Sequence, residues 1–389
     1  MKILFATFSF SPARSGVAIA SRNEVALLQG LGHDVQVVTA ALPEGTSSDL
    51  SGFQVARFAV TGNGSLWRPV RGDVGGVGRF VRSQSWDAVI LAGWQNWASD
   101  VVFDAVVGVP NAPRIVMRSH GVSTDSMSGA APGRWARYLG WRRYRRVRIP
   151  RVLRHLAVLV PLSPRGDSDR FLDVRLARQR GIPVVPIPNI VPSFVSTTLN
   201  GRTDGDKVLA PQWLLCVGNF SPGKNELGVL EAYRRSGMHE VPILFVGPRE
   251  NNYSLKLLRR ATKYGLTNVR AVFNPSDAAL RQLYAGALAI VLASRTECQP
   301  LAIVDGLSCA VPFVSTRVGN LDEYAGGVLV LTLEEMADVL SSIVSSPTRR
   351  AALVEAARRD HRTCLQRSLI EQRWSDLLAS VDVLASGSS

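Results

Sequence analysis

The sequence predicts an α/β protein built from two doubly wound, Rossmann-like domains facing a cleft. Its 389 residues exceed what one ordinary hydrophobic core holds. Short apolar runs alternate with segments whose apolar residues recur at helical spacing, as in parallel sheets covered by helices on both faces. That alternation halts at one long polar stretch and then begins afresh, so it describes two sheets rather than one. Residues 1–192 are the expected N-terminal domain and 193–366 the C-terminal domain. Residues 367–389 are a last helix expected to pack back on the N-terminal domain.

In chain order, "KILFATFS" reads as a buried strand and "AIASRNEVALLQGLG" as a helix that Gly30 and Gly32 stop. The next strand is "DVQVVTA". Further strands are expected at "WDAVILAG", "APRIVMRS", "LAVLVPLS" and "PVVPIPNIV". The polar stretch "PSFVSTTLNGRTDGDK" is the expected linker. Beyond it, "QWLLCVGNF", "VPILFVG", "NVRAVF", "LAIVLAS" and "PFVST" read as strands. The helices between them are "ELGVLEAYRRS", "SLKLLRRATKYG", "DAALRQLYAG" and "PLAIVDGLSCA", and "LIEQRWSDLLASV" is the terminal helix.

Composition narrows the class. With 46% hydrophobic and 20% charged residues the chain is globular rather than disordered. Its four cysteines are scattered without a CxxC pair, which reads as reduced thiols. The N-terminus reads as a strand rather than a signal peptide, and no apolar run has the length of a membrane span. A cytoplasmic protein is expected, with a peripheral position at the inner face of the membrane as the further reading. The net charge of +14 calls for an anionic partner: nucleic acid, acidic lipid or a phosphorylated substrate.

Four stretches carry candidate chemistry. Glu297 follows a strand at the carboxyl edge of the second sheet, where ligand-binding residues of doubly wound folds gather. Pro300 suits the first turn of the next helix, and Asp305 lies in that helix eight positions after Glu297. Its neighbours Leu301, Ala302, Ile303, Val304 and Leu307 are apolar, so its carboxylate needs donors: sugar hydroxyls, or else an arginine or solvent. In "VGNFSPGKNE", Lys224 stands before a helix whose free N-terminal amides would suit a phosphate. An ordinary strand–turn–helix with a solvated lysine is the alternative. In "SFSPARSGVA", Gly16 opens the first helix and lets a ligand approach the backbone, although no GxGxxG is present. In "RSHGV", His120 follows a first-domain strand, as a structural or a functional histidine.

Taken in order, these pieces resemble the retaining nucleotide-sugar glycosyltransferases of GT-B fold, in the large family 4 group. The resemblance covers nearly the whole chain. It rests on the Gly16 loop, Gly32-His33, His120, "LVPLS" ending at Ser163, Ile187-Pro188-Asn189, the Lys224 loop and the acidic pair Glu297 and Asp305. It departs from the pattern where Asp305 replaces a glutamate and Asn219 replaces an arginine, a loss that Arg249 could offset. The resemblance implies that Glu297 binds the donor sugar, with Gln299, Pro300 and Leu301 beside it, and that Asp305 binds the ribose. Lys224 would neutralise the diphosphate near Asn219, Gly16 would contact the phosphate–sugar junction, and His120 would line the sugar pocket. Glu297, Lys224 and His120 are the implied catalytic set. No metal and no cofactor beyond the nucleoside diphosphate sugar substrate is implied, and the acceptor would be a glycan or a lipid-linked sugar.

Residues 133–157 carry Arg134, Arg137, Arg142, Arg143, Arg145, Arg146, Arg148, Arg151 and Arg154. Trp135, Tyr138, Trp141 and Tyr144 lie between them, and there is no acidic residue. This composition suits an anionic membrane surface, and RNA is the less favoured partner. The rivals to an enzyme are a non-catalytic membrane- or nucleic-acid-binding protein on the same scaffold and a sugar-nucleotide epimerase of related fold.

Overall fold

The computed structural model describes residues 1–43, 52–63, 68–109, 111–122, 134–167, 169–190 and 213–386. The expected linker lies outside them. The chain divides into two compact units, Met1–Pro188 with Ile370–Ser389, and Asn189–Leu369.

In the first unit the elements run β1 (Lys2–Ala6), α1 (Gly16–Gly30), β2 (Asp34–Ala40), β3 (Gln54–Phe58), a ribbon of β4 (Val60–Thr61) and β5 (Arg71–Gly72), and α2 (Val74–Arg82). They continue with β6 (Ala88–Ala92), α3 (Trp97–Val106), β7 (Arg114–Ser119), α4 (Arg134–Leu153), β8 (Leu156–Pro161) and α5 (Leu172–Gln179). The sheet order is β3-β2-β1-β6-β7-β8, and every pairing in it is parallel. β1 and β6 are central, which is why their side chains are apolar on both faces: Ile3, Leu4, Phe5, Ala88, Val89 and Ile90 are all fully buried. As expected, α1 ends at Gly30, and Gly32 takes the left-handed conformation (φ +87°) that turns the chain into β2.

One expected strand is not there. "PVVPIPNIV" forms only an isolated bridge, Val184 to Leu159. Val185 N and Ile187 N still donate to the Leu159 and Pro161 carbonyls of β8, but Pro183, Pro186 and Pro188 have no amide to donate, and the pairing does not extend into a strand.

The second unit repeats the plan: β9 (Trp213–Val217), α6 (Glu226–Ser236), β10 (Ile243–Gly247), α7 (Asn252–Lys263), β11 (Val269–Phe273), α8 (Asp277–Ala285), β12 (Ala287–Leu292), α9 (Leu301–Ser308), β13 (Phe313–Thr316), β14 (Gly327–Val330), α10 (Leu333–Ser345) and α11 (Pro347–Asp360). The terminal helix α12 (Arg367–Ser386) follows. The order β11-β10-β9-β12-β13-β14 is again wholly parallel. Succession reverses between β9 and β12, so the loops leaving these neighbouring strands diverge to opposite faces and leave a crevice at their carboxyl ends.

A buried cation organises the first unit. Arg118, near the end of β7, is fully buried and ion-pairs with Glu24 of α1. Its guanidinium donates to the carbonyls of Ile187 (2.5 Å) and Pro188 (3.2 Å), groups that the missing strand leaves without ladder partners. It also lies 5.9 Å from the ring centroid of Trp374 in α12. Removing one partner of a buried ion pair strands the other charge, at a cost of about 3–5 kcal/mol. Arg118→Leu should therefore lower the urea midpoint, followed by tryptophan fluorescence, far more than a surface Arg142→Leu control. Equal midpoints would show that Arg118 is not the tie described.

Candidate active site

Lys224 and Glu297 meet at the β9–β12 switch point. Lys224 is in the loop after β9 and Glu297 in the loop after β12; Nζ donates to Oε1 at 2.6 Å, with side chains 31% and 12% exposed. The two loops are stitched together by backbone groups. The Arg295 amide donates to the Gly223 carbonyl (2.9 Å), and Asn225, held in the left-handed region (φ 54°), donates its side-chain amide to the Ala293 carbonyl (3.2 Å). Thr316 of β13 donates to the Ser294 carbonyl (2.7 Å). The pair is largely shielded from solvent, so an anion that draws Lys224 away must replace Glu297 as its partner.

The turn before α6 is closed by an internal anion. Glu226, the first residue of α6 and almost wholly buried, accepts from Phe220 N (2.9 Å) and Ser221 N (3.2 Å), two amides that precede the helix. The Ser221 carbonyl accepts from Lys224 N and Asn225 N, and the Asn225 carbonyl from Gly228 N. Burial pushes the Glu226 carboxyl up, while its backbone donors and Lys224 pull it down. The sequence reading passed over this residue; a glutamate directly after Lys224-Asn225 at a helix start was the available signal.

At the start of α9, Pro300 has no amide and its carbonyl takes Ile303 N and Val304 N; among the described residues the amides of Leu301 and Ala302 begin the helix without a backbone carbonyl partner. Gln299 is committed to structure: its Oε1 accepts from Asn189 N (2.7 Å) and its Nε2 donates to the Tyr324 hydroxyl (2.7 Å). Leu301, with its amide, is half-buried and Pro300 is buried.

Asp305 is half-buried on α9 among buried neighbours. It finds its donor in the Tyr284 hydroxyl of α8 rather than in an arginine. Burial raises its pKa to about 7, with the Tyr284 hydrogen bond opposing. Asn219 is exposed and accepts from Ser221 Oγ (2.9 Å), so no cation stands in its place. Arg249, exposed just beyond β10, lies at the same sheet edge.

In the first unit, Gly16 is the exposed first residue of α1, whose N-cap Ser15 accepts from Ala18 N. His120 follows β7 at the carboxyl edge. Burial, reinforced by Arg118 and Arg170, depresses its pKa to about 3, so the ring is neutral, and its Nε2 has no hydrogen-bond partner. Ser163 is buried just past β8. Gly32-His33 lies at the opposite edge, where His33 Nδ1 is 3.4 Å from the Met1 amino group, so the structure does not bring it to these residues.

The arginine-rich stretch forms α4, and part of it turns inward. Trp141 is buried, and Tyr144 donates to Asp100 of α3 (2.8 Å). Arg148 pairs with Asp100 and Asp104, and Arg151 with Asp104. Both guanidinium groups lie over Phe103. The acids that the stretch lacks are supplied by α3. Leu139, Arg142, Arg143, Arg146 and Val147 remain exposed. Residue 133 and the side chains of Arg134, Trp135 and Arg137 lie outside the described set. Among the described residues no helix is long and apolar enough to cross a membrane.

With this geometry in hand, comparison with known proteins is informative. Residues 202–360 match the family model described as Glycosyl transferases group 1. Over 135 residues the chain is 30% identical to O-antigen chain mannosyltransferase B of Escherichia coli, covering 33% of this chain and 35% of that protein. The match thus spans about a third of that relative's length. Among solved structures, Anabaena Alr3699/HepE in complex with UDP-glucose aligns with TM-score 0.70 at 18% identity over 98% of this chain and 100% of that one. Sucrose-phosphate synthase from Thermosynechococcus elongatus aligns with TM-score 0.70 at 15% identity over 99% and 100%. The fold is that of the GT-B glycosyltransferases, two parallel-sheet Rossmann-like domains in one chain.

Asp305 yields a prediction about pH. Because it holds its proton more tightly folded than unfolded, the stability it contributes is complete below pH 3.8 and is lost as pH rises through about 7. Asp305→Asn removes that loss. Its thermal midpoint relative to wild type should rise between pH 4 and pH 8, and a flat difference would contradict the assignment.

Proposed function

We propose that the protein is a retaining, metal-independent hexosyltransferase that uses a nucleoside diphosphate sugar and a glycan or lipid-linked acceptor. The observation that carries this reading is the Lys224–Glu297 pair beside the open amides of α9. The matched family model and the UDP-glucose bound by the Anabaena protein favour a nucleotide-sugar donor. A diphosphate would draw Lys224 Nζ from Glu297 and accept from the Leu301 amide. The freed Glu297 carboxylate would then accept from sugar hydroxyls. Asp305 would serve the ribose, Gly16 the phosphate–sugar junction, and the neutral His120 ring a sugar hydroxyl. The departing diphosphate would take the acceptor's proton on the face it leaves, so the side chains act by positioning and electrostatic stabilisation rather than as nucleophiles. The mannosyltransferase similarity favours a polysaccharide acceptor.

Screening nucleotide sugars for thermal protection identifies the donor, since a ligand bound to the native state raises its midpoint. With that donor, Lys224→Ala and Glu297→Ala should each reduce transfer by about 10²-fold or more with thermal midpoints preserved. Transfer should survive EDTA, and NMR of the product should show retained anomeric configuration. Near-wild-type turnover in both folded variants would refute the site.

The acceptor side has its own test. The exposed stripe of Leu139, Arg142, Arg143, Arg146 and Val147 combines cations with apolar side chains, as an anionic lipid surface favours. The protein should sediment with anionic and not neutral vesicles, and replacing Arg142, Arg143 and Arg146 with Gln should release it. RNA binding without vesicle binding would overturn this part of the reading.

A further inference from the structure

The β9–α6 turn is built around a carboxylate that the proposed chemistry leaves unused. Asn225, at the N-cap position of α6, stands in the left-handed region rather than the extended backbone of a capping residue and makes no side-chain cap bond there, while its amide donates to Ala293 across the two loops. Glu226 takes over from inside the helix, filling the Phe220 and Ser221 amides that would otherwise invite a phosphate. Ser221 is the pivot. Its amide is held by Glu226, while its carbonyl receives the amides of Lys224 (3.1 Å) and Asn225 (2.9 Å). Gly218 makes room for this arrangement, since a Cβ there would fall 2.7 Å from Glu226 Oε1.

We propose that Glu226 is the positioning residue of this site. Its buried carboxylate fixes the Ser221 peptide from which Lys224 is presented, and so sets where the lysine meets an anion. The inference rests on the reading of Lys224 as the diphosphate-binding cation. It also carries a consequence for specificity of place. With an internal anion occupying the turn, a ligand phosphate is excluded from the Phe220 and Ser221 amides and directed to Lys224 Nζ and the start of α9. A carboxylate buried to this degree is costly unless donors surround it, and the donors here are the backbone amides of the very loop it shapes.

The test combines amide exchange with binding. Hydrogen exchange of the peptide spanning 218–225 reads the loop without any ligand, and calorimetry with UDP, GDP and ADP reads the site. Glu226→Ala should lose protection at Phe220 and Ser221 and raise the Kd of the best-bound nucleotide by about tenfold to a hundredfold, the scale of a misplaced group. Glu226→Gln keeps the volume and one acceptor; it should give a smaller rise, and it carries the test should Glu226→Ala fail to fold. Because Glu226 acts through Lys224, its replacement in a Lys224→Ala background should change Kd by less than about twofold. A plain structural cap would instead give the same loss in both backgrounds, which would overturn the proposal, as would an unchanged Kd in Glu226→Ala. If wild type binds none of the three nucleotides, the proposed function fails by itself. The positioning claim then stands if exchange protection falls in Glu226→Ala and is overturned if it does not.

Discussion

The adjacency of β9 and β12 is the constraint on which the candidate site depends. Lys224 and Glu297 are 73 positions apart in the chain and form a 2.6 Å contact because their loops leave neighbouring parallel strands at the same edge. Parallel pairing forces each loop into a helix on its own face, so the two side chains converge over the gap between them. The stitching bonds from Arg295 to Gly223 and from Asn225 to Ala293 then hold that convergence without using either functional side chain.

Charges of both signs meet around this gap. Asn219 supplies no cation, Glu226 adds a buried negative group, and Glu297 neutralises Lys224 while no ligand is bound. Binding a diphosphate there requires that Lys224 change partners, the phosphate charge replacing that of Glu297. Burial raises the Asp305 pKa to about 7, so its charge near neutral pH responds to any added hydrogen bond.

Local pattern made the strands, the Gly30–Gly32 stop and the placement of Lys224, Glu297 and Asp305 legible, because each depends on neighbours a few residues away. The contacts that complete the structure join residues far apart and leave no local trace. Arg118 was only a letter beside His120 until Glu24, the Ile187 and Pro188 carbonyls and Trp374 converged on it. Likewise α4 read as an unrelieved run of cations, since Asp100 and Asp104 belong to a helix 44 or more positions earlier in the pairings they make. Tyr284 could not be foreseen as the donor to Asp305 for the same reason. The strand wrongly expected at "PVVPIPNIV" shows the converse error, in which apolar character was weighed above the three prolines.

The central claim is that Lys224 exchanges Glu297 for a ligand diphosphate at the start of α9. A crystal structure of the protein with a bound nucleoside diphosphate tests it most directly. The account predicts phosphate oxygens within hydrogen-bond reach of Lys224 Nζ and the Leu301 amide, with the Lys224–Glu297 contact lengthened and Glu226 still holding Phe220 and Ser221. A nucleotide bound elsewhere, or bound with the Lys224–Glu297 pair intact at 2.6 Å, would contradict it.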